Sequence, residues 1–122
     1  DKNLRWKDSL GNQWNEYKTL FPALNNSNID QVSLEFAGSK VPPELMRLLP
    51  NKEIMVGVIT VVANHIETPE EVKANIVEAL KHVSKDQFIA CSNCGMAPIP
   101  IETAKLKIKA LGEGTKLANT VF

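Results

Sequence analysis

One stretch of this chain decides its fold class. Residues 54–62 read Ile-Met-Val-Gly-Val-Ile-Thr-Val-Val, apolar at almost every position, with Gly57 inside. A strand that is apolar on both faces belongs in a parallel sheet covered on both sides. Strands are expected before and after it, at 29–36 and 87–91. Between them lie helix signals. Trp14, Tyr17, Leu20, Phe21 and Leu24 form one apolar stripe, stopped by Asn25-Asn26-Ser27-Asn28. A short helix at 44–49 follows the break at Gly38 and Pro42-Pro43. Thr68 as N-cap, Pro69 at the first helical position and Glu71 two further on make a capping box. Val72, Ile76, Ala79, Leu80 and Val83 give that helix its apolar face. A last helix follows Pro98 and Pro100, with Ala104, Ile108 and Leu111 on one side and its end weakened by Gly112 and Gly114.

Strand–helix units of roughly 30 residues build parallel α/β folds with right-handed crossovers. Three parallel strands are too few to close a barrel, which takes about eight. The apolar middle strand keeps a neighbour on each side, and the outer two present open edges. The chain is therefore expected to be a slice of a larger barrel or to pair with another copy. Residues 1–28 are a polar lead-in and a helix, and 29–122 the three strand–helix units. The start at Asp1 rather than Met suggests excision from something longer.

Fourteen basic and fourteen acidic residues leave no net charge, which disfavours a nucleic-acid surface or an electrostatic membrane partner. No apolar stretch reaches the ~18 residues of a spanning helix. Two cysteines do not make a secreted disulfide framework, so a reduced, cytoplasmic setting is expected.

Two polar side chains end apolar strands. Cys94 follows the strand at 87–91 and precedes Gly95; Glu35 ends Val32-Ser33-Leu34-Glu35. In parallel α/β proteins the carboxyl ends of strands are where ligands bind. A thiolate and a carboxylate there suit zinc, although two ligands do not complete a site. Cys91 and Cys94 also form Cys-x-x-Cys, but Gly95, Pro98 and Pro100 prevent the helix start that a redox pair requires. Cys91 is expected at the inward end of its strand, and Ser33 on the side of Glu35. Asn64 and Asn93 flank the presumed site and are placed to orient ligands. His65 is a loop residue with a candidate catalytic role. His82, late in its helix, suits the helix dipole and a structural role. Trp14 and Tyr17 are expected as core contacts.

Val56-Gly57-Val58-Ile59 with Val61, Glu67-Thr68-Pro69-Glu70-Glu71-Val72 and Cys94-Gly95-Met96, in that order, resemble the C-terminal barrel of the cobalamin-independent methionine synthase family. The resemblance covers roughly residues 29–118. It implies the last three strand–helix units of a (β/α)8 TIM barrel, with zinc at the carboxyl ends of the strands. It further implies methyl transfer from a methylated folate to the zinc-activated thiol of homocysteine. By the same resemblance Cys94 matches the family's last zinc-ligating Cys and Glu35 its zinc-ligating Glu. The family's other ligands, a His-x-Cys pair, are absent from this sequence and would lie upstream of Asp1. The larger synthases' catalytic His falls on Val62, with His65 close by. The expected function is therefore part of a zinc methyltransferase, inactive as an isolated fragment. Alternatives are a relative acting on another thiol, such as a coenzyme-M-type acceptor, and a non-enzymatic half-barrel that self-associates through its open edges.

Overall fold

The computed structural model describes residues 14–122, with side chains from Glu16 onward. The lead-in at 1–12 and the side chain of Trp14 lie outside the described residues. Helix α1 is Trp14–Asn25, strand β1 Gln31–Glu35, a 3-10 helix Pro43–Leu48, strand β2 Glu53–Ile59, helix α2 Pro69–Ala79, strand β3 Phe88–Ser92 and helix α3 Ile101–Asn119. The sheet is parallel in the order β1-β2-β3, so the apolar strand is central, as its composition requires. The chain thus forms three strand–helix units of the (β/α)8 TIM-barrel type, with the sheet open.

Alternation along β2 sorts its side chains. Ile54, Val56 and Val58 are fully buried and share one core with Val72, Ile76 and Ala79 of α2 and with Ala110 and Ala118 of α3. Register then places Ser33 and Glu35, Met55 and Gly57, and Ile89 and Cys91 together on the opposite face. That face is only partly covered. Met55 and Cys91 are half-buried and Ser33 and Glu35 exposed, so the two-sided cover expected for this sheet is incomplete among the described residues. In a closed barrel this face would be the interior.

Helix α2 starts as its sequence dictates. Thr68 Oγ1 accepts the Glu71 N–H at 3.2 Å, and the Glu71 carboxylate accepts the Thr68 N–H at 2.8 Å. Tyr17 packs its ring 5.3 Å from that of the buried Phe21, a core contact as expected. At the opposite edge of the sheet from the strand ends, the Gln87 carboxamide donates to the carbonyls of Leu49, Pro50 and Lys52. The buried Lys52 donates to the Ser27 carbonyl at 2.7 Å.

Four local expectations are corrected. Strand β2 stops at Ile59 rather than running to residue 62, because the Thr60 N–H donates to the Glu67 carboxylate at 2.8 Å instead of to a neighbouring strand. Val62 is consequently exposed. Helix α2 ends at Ala79, so His82 sits in the following turn, with its Nδ1 buried and without a hydrogen-bond partner. Helix α3 turns a different face inward: Lys107, Ala110, Gly114 and Ala118 are buried, while Ile108 is 58% exposed. Nor does Gly114 weaken the helix end, since α3 continues to Asn119.

Gly114 marks the crossing of α2 and α3. A Cβ there would lie 2.4 Å from Val72 Cβ and 2.8 Å from the Pro69 carbonyl oxygen. Small residues at 110, 114 and 118 let the helices approach this closely. Gly114→Ala is therefore expected to lower stability by about 1–3 kcal/mol through overpacking, outweighing its gain in helix propensity. Urea denaturation of the intact protein measures this; an unchanged or raised midpoint would contradict the close crossing.

Candidate functional site at the carboxyl ends of the strands

All three strands are parallel, so their carboxyl ends share one edge. Glu35 lies level with Gly57 and Cys91, and Cys94 follows three residues later. Neighbouring strands lie about 4.8 Å apart, which puts the backbones of Glu35 and Cys91 roughly 10 Å from each other. That gap is closed by Asn93.

Past β3 the chain folds back over β2. The Asn93 N–H donates to the Ile59 carbonyl at 2.9 Å. Its carboxamide reaches over Gly57 to the end of β1, where Oδ1 accepts the Phe36 N–H at 3.1 Å and Nδ2 donates to the Ala37 carbonyl at 2.8 Å. Both ends of the amide are matched, which fixes its orientation. Gly57 leaves the necessary room. A Cβ at that position would lie 2.1 Å from Asn93 Oδ1 and 2.7 Å from Asn93 Cα. The Ala37 N–H also donates to the Gly57 carbonyl at 2.7 Å, extending the β1–β2 ladder by one bond. The residues adjoining Glu35 and Cys94 are thus tied to each other and to the central strand.

Glu35 and Cys94 are both exposed at this edge, one offering a carboxylate oxygen and the other a thiol sulfur. These donors suit zinc, whose catalytic sites take three protein ligands and one exchangeable position. Among the described residues no group of three or more His, Cys, Asp or Glu side chains comes together to hold a metal. Glu35 and Cys94 would therefore supply only part of such a shell. Cys91 points to the same face as Ser33 and is half-buried. Burial pushes its thiol pKa up, only partly offset by Ser33, so it stays protonated near neutrality.

His65 lies in the β2–α2 loop, half exposed, with Nε2 3.3 Å from the Glu71 carboxylate. Its partner is thus the carboxylate that caps α2. Asn64 is exposed in the same loop. A cleft of about 540 Å³ opens beside Glu35, lined in part by Tyr17, Phe21, Val41 and Met46. It touches Ser33, Leu34, Glu35 and Phe36 in succession and so runs along the unpaired edge of β1.

The loop after β2 is anchored by residues that the sequence reading passed over. Lys107 of α3 is completely buried, its Nζ 2.6 Å from Glu67 Oε2. The other carboxylate oxygen accepts from the Thr60 N–H at 2.8 Å and from the Thr60 hydroxyl at 2.7 Å. Burial alone would raise the Glu67 pKa, but Lys107 and Thr60 together hold it below the ordinary glutamate value. A glycine inside an apolar strand was the available signal for the close approach at Gly57. For Lys107 the only signal was its phase with Ala110 and Gly114.

Three parallel strand–helix units with polar side chains gathered at the carboxyl edge of the strands define a class: α/β proteins of the TIM-barrel type. The comparisons narrow this. A model of the cobalamin-independent synthase catalytic domain matches residues 14–117, and the chain belongs to that family. It is 32% identical over 104 residues to a methionine synthase of Sulfurisphaera tokodaii, covering 85% of this chain and 31% of that protein. A methionine synthase of Methanocaldococcus jannaschii is 30% identical over 116 residues, covering 88% and 36%. Among solved structures, a B12-independent methionine synthase of a Shewanella species in complex with selenomethionine superposes with a TM-score of 0.88. It is 42% identical, over 97% of this chain and 35% of that one. The chain therefore spans about a third of the length of the relatives it matches.

Three outcomes are expected. Lys107→Met should destabilise the intact protein by about 3–5 kcal/mol, because it strands a buried carboxylate; adding Glu67→Leu should recover part of that loss. Because the Glu67 pKa is lowered on folding, its contribution is present above the ordinary carboxylate pKa and lost as pH falls through the lowered native value. Denaturant midpoints followed into acid should accordingly fall less steeply in the double variant than in the parent, and equal slopes would contradict the assignment. In metal-free protein, iodoacetamide should modify Cys94 well before Cys91, as peptide mapping would show; equal rates would contradict the burial of Cys91.

Proposed function

We propose that this chain is the last three strand–helix units of a zinc-dependent methyltransferase barrel. In the complete protein it would help move a methyl group from a methylated folate to the thiol of homocysteine, giving methionine. One observation carries the reading: in a chain of this family, the residues beside Glu35 and Cys94 are bound to each other across Gly57. The selenomethionine complex of the Shewanella relative supports the product, since selenomethionine differs from methionine only in its chalcogen.

A bound zinc would hold the acceptor as a thiolate at neutral pH, where a free thiol of pKa about 8.5 is mostly protonated. This chain's part is to supply and place donors. Glu35 offers a carboxylate oxygen, the more labile ligand, and Cys94 a sulfur, the more permanent one. The remaining protein ligands would come from outside these 122 residues, because the sequence holds no His-x-Cys pair. Cys91 remains a protonated neighbour and does not compete as a thiolate. His65, whose Nε2 is held by Glu71, is the proposed proton carrier. The donor and acceptor themselves are assigned by kinship, with a coenzyme-M-type thiol as the rival acceptor. The edges of β1 and β3 also suit association with further strands. A half-barrel that only self-assembles is the non-enzymatic alternative. No described helix is long and apolar enough to cross a membrane.

The test is metal content and methyl transfer together. The intact protein should carry stoichiometric zinc and methylate homocysteine, and Glu35→Ala and Cys94→Ala should each lose both. The isolated 122-residue chain should show no transfer above background. Zinc retained in both variants, or turnover by the isolated chain, would overturn the proposal.

A further inference from the structure

Asn93 does more than close a loop. Its carboxamide joins the segment after β1 to the segment after β3, across a residue separation of 57. Three features make it a specific fit. The acceptor end meets an N–H and the donor end meets a carbonyl, so both oxygen and nitrogen are required. The backbone of the same residue is held by the Ile59 carbonyl, so the side chain cannot drift. The path of the amide is open only because Gly57 has no Cβ. The residues bonded by the amide, Phe36 and Ala37, directly follow Glu35; Cys94 directly follows Asn93.

We propose that Asn93 is a positioning residue that sets the separation of the Glu35 oxygen and the Cys94 sulfur, and so the affinity of this edge for a divalent metal. The inference rests on the metal reading above and extends it to a residue that touches neither metal nor substrate. Partners that orient metal ligands typically change metal affinity by about 10–100-fold when removed. Alanine removes both bonds. Aspartate keeps the shape and the acceptor facing the Phe36 N–H but opposes a carboxylate oxygen to the Ala37 carbonyl.

The experiment uses the intact protein and reads binding rather than turnover. Zinc affinity is measured by chelator competition, and the thiolate-to-cobalt charge-transfer band is recorded after Co(II) substitution. Thermal melting of the metal-free forms serves as the control for folding. Asn93→Ala and Asn93→Asp are each expected to bind zinc about 10–100-fold more weakly and to shift or weaken the cobalt band, while the metal-free forms still melt cooperatively at a lowered temperature. If Asn93→Ala does not fold, the isosteric Asn93→Asp carries the test. Parental affinity and an unchanged band in a folded variant would overturn the positioning role while leaving Glu35 and Cys94 as ligands. A parent protein that binds no metal would overturn the metal reading itself, and this inference with it.

Discussion

The carboxyl edge of this sheet depends on one crossing: the Asn93 amide lying over the bare backbone of Gly57. Parallel strands alone would leave β1 and β3 about 10 Å apart, each ending in its own loop. The crossing converts two loops into one unit, because the amide satisfies an N–H and a carbonyl beyond β1 while its own backbone is bonded to β2. A side chain at position 57 would occupy that space. The glycine that looks like a weak point in an apolar strand is the condition for bringing a carboxylate and a thiol to a common edge.

A second constraint holds the neighbouring loop. The Glu67 carboxylate ends β2 by taking the Thr60 N–H, and it is neutralised by a lysine from the last helix. Buried ion pairs are weak evidence for stability, since desolvation can cancel their attraction. Their value here is geometric. The pair fixes where the β2–α2 loop leaves the strand and brings α3 against α2, where Gly114 permits the approach. The amino-terminal edge is built differently, from neutral carbonyls gathered by Gln87 and from Lys52 on Ser27. These bonds fasten loops and offer no comparable donor set.

Legibility in the sequence followed the range of the interactions. The capping box of α2 was readable because Thr68, Pro69 and Glu71 are adjacent. The central place of β2 was readable because its own composition demands neighbours. Glu35 and Cys94 were assigned to one edge because strand ends in parallel sheets coincide. Failures came where a distant residue decided a local outcome. The end of β2 depends on Glu67, seven residues on, and the inward face of α3 on a lysine whose partner lies 40 residues away. A hydrophobic pattern placed Ile108 inside; the structure exposes it and buries Lys107 against Glu67 instead. Asn93 was suspected as an orienting residue from its position, but its partners across Gly57 became visible only in three dimensions. A third metal donor was not readable because the sequence holds no His-x-Cys pair.

The proposal that Glu35 and Cys94 hold one metal ion is tested most directly by a crystal structure of the zinc-loaded intact protein. Anomalous scattering at the zinc edge should place one ion about 2.3 Å from Cys94 Sγ and about 2.0–2.2 Å from a Glu35 oxygen, with Asn93 still bonded to Phe36 and Ala37. An ion bound elsewhere, with either Glu35 or Cys94 outside its coordination sphere, would contradict the account.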